Sequence, residues 1–405
     1  MTPARALTLQ SISLLLSMTT WLSASAVIPQ LREEWDISAS ASAWLTIAVQ
    51  LGFVAGALLS SLTNLSDIIR PARVILWGSM GAAAANLLLL VASGAVLAIA
   101  LRFGTGMFLA GVYPPSLKLS STWFRKGRGL ALGTLVGALT IGTAVPHLVN
   151  GLGGLEWQTV IWATSALTVI GGLIAGFLVP EGPHPFPQAR FDPAQAGQVF
   201  SNRALRLASL GYFGHMWELY AMWAWFFLFF SEAVLNEGGG AAAFASFVVI
   251  GIGGLGCWAG GVLGDRWGRT QTTSLMMATS GVCALVIGLV AGAPVWIVLA
   301  VGLVWGFTVV ADSAQFSAIV TEVADQAYVG TALTLQLALG FTLTVATIWL
   351  IPIVEASFGW RWAFGFLAPG PLIGIVAMAR LRALQAAQAA ERSAGLAQKS
   401  PIRSV

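Results

Sequence analysis

His215 and Glu218 stand three residues apart in the run Gly211-Tyr212-Phe213-Gly214-His215-Met216-Trp217-Glu218-Leu219-Tyr220-Ala221-Met222-Trp223-Ala224-Trp225, which is otherwise aromatic, small or apolar. That spacing places both side chains on one face of a helix. A carboxyl group walled off from water favours its neutral form. Such a group can take up and release a proton as its surroundings change, and an imidazole one turn away can relay or tune that proton. The structural alternative is a buried hydrogen-bonded pair that holds this helix to its neighbours. Tyr220 and Trp225 could wall a bound solute or simply pack.

Two further charges interrupt apolar runs. Arg102 lies in Arg102-Phe103-Gly104-Thr105-Gly106, where small residues allow close helix packing. Its guanidinium could hold a carboxylate in a bidentate grip. It could equally bond the carbonyls of a broken helix. Asp312 lies in Ala311-Asp312-Ser313-Ala314-Gln315 near the end of an apolar run. Charges inside membrane spans are costly, so each is a functional candidate. Ser17, Thr20, Gln50 and Gln336 are neutral polar residues in other spans, suited to lining a cavity or bonding between helices. His147 follows Pro146 at a span's end, where a helix-end cap or gate contact is expected.

These residues need long apolar elements to position them. The chain has 405 residues, 57% hydrophobic and 9% charged, with mean hydropathy +0.82. Soluble domains carry about a quarter charged residues, so lipid must be the main solvent here. Helices of about 20 apolar residues cross a bilayer. Apolar runs are expected to span 7–31, 42–63, 73–92, 95–116, 128–150, 158–180, 206–231, 242–262, 271–292, 294–315, 328–352 and 362–381. They are continuous and lack the alternation of a β-barrel. The first run could be mistaken for a signal peptide, but it is long enough to span. The polar, Pro-containing stretch 181–205 divides the runs six and six. The expected organisation is a bundle over 1–180, a linker over 181–205, a bundle over 206–381 and a tail without order over 382–405.

Charge sets the orientation. With both termini in the cytoplasm, seventeen of the 20 Lys and Arg fall inside. Arg32 and Arg361 fall outside and Arg102 within a span. Basic residues mark the cytoplasmic side. A wrong span count would scramble the asymmetry, so it supports twelve spans. Trp157 and Trp360 open spans six and twelve, where an aromatic belt is expected.

Between spans eight and nine lies Gly261-Val262-Leu263-Gly264-Asp265-Arg266-Trp267-Gly268-Arg269, read as a tight charged loop. It resembles the G-x-L-x-D-R-x-G-R-type signature of the major facilitator superfamily. The stretch 63–73 holds a weaker copy in Asp67 and Arg73. The resemblance implies an all-α fold of twelve transmembrane helices in two pseudo-symmetric six-helix bundles. It also implies a solute site near the midplane between the bundles. The gate would be Asp265, Arg266, Arg269, Asp67 and Arg73, with Asp312 as the acid that completes the loop's ion pairs.

The segments Tyr113-Pro114-Pro115, Trp123-Phe124 and Arg128 to Gly133 are similar to nitrate/nitrite-type and cyanate-type porters, although spans two and eight lack the Arg of nitrate porters. The expected function is a proton-coupled transporter of a small, anionic solute in a bacterial-type inner membrane, working by alternating access as a monomer. Arg102 would attract the anion, Glu218 take the proton, and His215, Tyr220 and Trp225 contribute to the site. The alternatives are proton-antiport efflux of amphipathic drugs or metabolites, and a non-transporting receptor or assembly protein. The expected partners are solute, protons and lipid. No phosphate-cradling loop is present for ATP. Cys257 and Cys283 have neither disulfide nor metal spacing. Neither a cofactor, a metal, a nucleic acid nor an enzymatic activity is expected.

Overall fold

The computed structural model describes residues 1–124, 127–152, 156–184, 193–236, 239–325 and 328–399. The described residues form helices joined by short connections. Eleven are long and apolar enough to cross a membrane, and a bent pair makes a twelfth. In chain order they are α1 (Pro3–Thr20 and Ser25–Trp35, bent by 48°), α2 (Ser40–Leu62), α3 (Pro71–Val91), α4 (Ala95–Ser121), α5 (Gly129–Gly151) and α6 (Trp157–Leu178). The second set is α7 (Arg203–Leu235), α8 (Gly240–Trp267), α9 (Arg269–Ile287), α10 (Val295–Val323), α11 (Val329–Phe358) and α12 (Trp360–Glu391). Each matches one expected span. An even number of crossings returns both termini to one side, called here the terminal face.

Two six-helix halves result. In the first, α2 packs on α4, α3 on α6, and α1 on α5 and α6. In the second, α8 packs on α10, α9 on α12, and α7 on α11 and α12. The repeat is close enough to duplicate irregularities. The straight parts of α4 (Ala95–Leu109) and α10 (Val295–Val309) are both 15 residues long, and each gives way to a turn before its helix resumes. The halves meet along α5 against α8 and α2 against α11.

Trp157 and Trp360 differ from the expected belt residues. Both are buried, and both tie helices together within their half. Nε1 of Trp157 donates to Glu34, and Nε1 of Trp360 donates to Oε2 of Glu232 over 2.9 Å. A buried indole N–H needs an acceptor, and each half supplies a glutamate at the far end of its first helix. Other tryptophans, such as Trp77, Trp258 and Trp296, are exposed on the outer surface.

The linker and the tail both contain helix. Within the linker, Ala196–Ser201 is helical, while 185–192 lie outside the described residues. The tail expected without order instead continues the last helix to Lys399, and 400–405 lie outside the described residues. Its alanine-rich composition explains the helix.

Candidate functional site

Glu218 sits in the middle of α7, 2% exposed. Gly214 positions it by letting α7 approach α12: a Cβ there would lie 2.3 Å from the Gly370 carbonyl oxygen. Trp305 of α10 donates its Nε1 proton to Oε1 of Glu218 over 2.7 Å. Ser280 of α9 donates to Oε2 over 2.8 Å. The same hydroxyl lies 3.2 Å from the Met277 carbonyl. Ser280 therefore has a second acceptor and can accept from a protonated carboxyl by turning its own proton to that carbonyl.

His215 does not pair with Glu218. Its Nδ1 lies 2.9 Å from Oδ1 of Asp312, and its Nε2 lies 2.7 Å from Oγ of Ser313. Both partners sit where α10 is interrupted. The expected position of Asp312 beside the charged loop is thus not observed. It is 1% exposed and faces α7. The second half carries two adjacent acid networks that share α7 and α10.

The charged stretch 261–269 is mostly helix. α8 runs through Trp267, and only Gly268 turns the chain, with φ at 94°. Its missing Cβ makes that conformation accessible. Arg269 opens α9 and donates from Nε to Glu322 over 2.6 Å and from Nη1 to Gln315 over 2.8 Å. Its Nη2 is 3.8 Å from Asp265. Glu322, not Asp312, is therefore the acid beyond the stretch. Asp265 reaches the other half: a Cβ on Gly129 would lie 2.9 Å from its Oδ1. A carboxylate beside the first turn of α5 is favourably placed for that helix's dipole. Arg266 is exposed on the last turn of α8, and Arg73 is exposed in the first turn of α3. The Asp67 side chain lies outside the described residues.

Arg102 belongs to a third network, in the first half. It is fully buried at the kink of α1. Nε donates to the Leu45 carbonyl, and Nη1 to the Thr20 carbonyl, Ser23 and Asn86. Nη2 donates to the Trp21 carbonyl. The break in α1 frees backbone acceptors, and Arg102 occupies them.

Between the halves lies a packed aromatic wall of buried side chains. Trp21 meets Phe53, Tyr220 and Phe341 at centroid distances of 5.0, 5.9 and 5.9 Å. Tyr220 also meets Trp223 at 5.3 Å. Several buried polar atoms on these helices and on α5 bond no group among the described residues: Oγ1 of Thr20, Nε1 of Trp21 and Trp223, the amide of Gln50, Nε2 of Gln336 and, on α5, both ring nitrogens of His147. His147 therefore makes no helix cap. Its ring stands 5.6 Å from Phe227. Trp225 faces away from this wall and donates to the Ile348 carbonyl over 3.0 Å. On the face opposite the termini, a cavity of about 710 Å³ opens between the halves, lined in part by Glu33, Glu34, Glu156, Asn150 and Phe227.

Comparison with known proteins places this arrangement. The profile of the Major Facilitator Superfamily matches residues 11–346. The chain belongs to the Major Facilitator Superfamily. A crystal structure of a bacterial homologue of the human lysosomal transporter Spinster, inward-facing and unoccupied, superposes with a TM-score of 0.66. That match covers 94% of this chain and 95% of the other at 13% identity, which bears on fold alone. The uncharacterized transporter YgaY of Escherichia coli O157:H7 is 30% identical over 177 residues, 41% of this chain and 42% of YgaY. The multidrug efflux pump LfrA of Mycolicibacterium smegmatis is 29% identical over 170 residues, 41% of this chain and 33% of LfrA. The matches thus span well under half of either relative. Superfamily membership agrees with the multi-pass helical layout, and the sequence relatives are bacterial.

Sequence reasoning missed Trp305, Ser280, Glu322 and the cross-half wall of Trp21, Phe53 and Phe341. Trp305 carried a signal: an indole within an apolar span needs an acceptor. The others depend on which helices adjoin.

Proposed function

We propose that this transporter exports amphipathic aromatic cations in exchange for protons, with Glu218 as the proton carrier. The observation that carries this reading is the inter-half wall of Trp21, Tyr220, Trp223 and Phe341, combined with unbonded neutral polar groups. Aromatic faces attract cations and stack on aromatic solutes. Neutral donors and acceptors orient such a solute without demanding a charge of their own. The three glutamates of the opposite-face cavity would line the exit of a cation leaving on that side.

Anion symport loses its main support. The guanidinium of Arg102 is spent on five acceptors around the α1 kink. Its role in this reading is to hold that kink, and with it Trp21, against the aromatic wall. The multidrug specificity in the description of LfrA agrees with the proposal.

Glu218 suits proton exchange because its partners tolerate both states. The ionised carboxylate accepts from Trp305 and Ser280. On protonation it keeps Trp305 and donates to the rotated Ser280 hydroxyl. The His215–Asp312 pair, one turn away, would carry that change to the break in α10. The contacts of Arg269, Asp265 and Glu322 would close the terminal face, taken as cytoplasmic, in alternating access. The setting is a bacterial-type inner membrane, with one chain as the working unit.

The test is uptake of tetraphenylphosphonium into inverted proteoliposomes under an imposed pH gradient. Wild type is expected to accumulate the cation, and Trp223→Ala to lose most of that accumulation. Equal accumulation of the cation by protein-free vesicles would defeat the proposal.

A further inference from the structure

A groove of about 620 Å³ runs between α9 and α12 on the outer surface of the second half, away from the inter-half aromatic wall. Its two ends differ in chemistry. Ile375, Met378 and Ala379 line the end toward the middle of the bundle. Thr270, Gln271 and Arg382 line the end at the terminal face. Arg382 is exposed, and the Gln271 amide lies 2.6 Å from its Nη2. About 10 Å of helix separates Ile375 from Arg382, roughly the depth from acyl chain to headgroup.

Two observations place the polar end at the membrane interface. Trp267, whose carbonyl oxygen meets the Gln271 amide, is 55% exposed. An exposed tryptophan at a span's end is the mark of headgroup depth. Along the same two helices, Leu275, Leu372, Ile373 and Val376 are exposed and apolar, as a lipid-facing surface must be. The groove therefore begins among headgroups and ends among acyl chains.

We propose that this groove is a binding site for one anionic phospholipid, its phosphate held by Arg382 and Thr270 and one acyl chain laid against Ile375 and Ala379. The charge of Arg382 selects the occupant, since basic side chains at this depth attract anionic lipid. The nearby basic residue Arg269 is already engaged by Glu322, Gln315 and Asp265, so Arg382 is the cation on the groove wall. A lipid here would brace α9, which carries Ser280, against α12.

Native mass spectrometry of the detergent-solubilised full chain tests this, with phosphatidylglycerol, phosphatidylcholine and inorganic phosphate as separate probes. Wild type is expected to retain phosphatidylglycerol about fivefold better than phosphatidylcholine, the effect of one basic contact. Arg382→Gln should bring that ratio near one, whereas Arg380→Gln should leave it unchanged. Ile375→Trp, which fills the apolar end, should reduce retention of phosphatidylglycerol with Arg382 intact. Equal retention of both lipids by wild type overturns the proposal. So does a ratio that survives both Arg382→Gln and Ile375→Trp, or displacement of the lipid by equimolar inorganic phosphate.

Discussion

Nδ1 of His215 lies 2.9 Å from Oδ1 of Asp312, and this contact joins the middle of α7 to the interruption of α10. Both side chains are buried. Removing one partner leaves the other desolvated and unpaired, which costs about 3 kcal/mol or more. His215→Ala should therefore lower the thermal unfolding midpoint in detergent. The double variant His215→Ala with Asp312→Ala should recover part of the loss, because no charge remains stranded. Full additivity of the two single losses would show that the residues do not act as a pair.

Arg102 is expected to matter for stability rather than for anion recognition. Its removal strands the Trp21 carbonyl, at about 1–3 kcal/mol for a buried acceptor left unmet, and withdraws the bonds that tie the α1 kink to Leu45 and Asn86. Arg102→Ala should unfold at markedly lower temperature. Wild type screened against small inorganic and organic anions should show no thermal protection. Strong protection by an anion, absent in Arg102→Lys, would return Arg102 to the solute site.

The Arg269 contacts should control closure of the terminal face. Ser61 of α2 and Thr334 of α11 meet there across the halves, with hydroxyls 3.3 Å apart. Spin labels at these two positions would report opening. Arg269→Ala and Asp265→Asn should each broaden the measured distances toward longer values. An unchanged distribution in both would remove the gate role.

Close helix contact makes some glycines irreplaceable and leaves others free. A Cβ on Gly306 would lie 1.7 Å from the Val249 carbonyl oxygen, whereas at Gly104 the nearest atom is 3.8 Å away. Gly306→Val should abolish folded expression or lower the unfolding midpoint sharply, since overpacking costs about 1–3 kcal/mol and often more. Gly104→Ala should change the midpoint little. Size-exclusion profiles of both variants check this.

The spans were readable because apolar length and basic asymmetry are local properties of the chain. Pairings across helices were not. His215 and Glu218 share a face of α7, yet each bonds to a different residue of α10, and nothing in their spacing names Asp312 or Trp305. Arg102 could be read as a ligand or as a brace, and only the kink of α1 separates the two. The stretch 261–269 looked like a loop because of its charge and glycines. Gly261 and Gly264 prove to be buried helical residues, and Gly268 alone makes the turn. The tail is helical to Lys399 because its alanines favour a helix, a local propensity that was also present in the sequence.

The most direct test of the proposed mechanism is tetraphenylphosphonium flux in proteoliposomes, with and without a pH gradient, for wild type and Glu218→Gln. The amide cannot carry a proton but keeps the shape and an acceptor for Trp305. Wild type should transport the cation faster under the gradient, and Glu218→Gln should bind it yet lose the gradient's effect. Gradient-driven transport undiminished in Glu218→Gln would contradict the role assigned to Glu218.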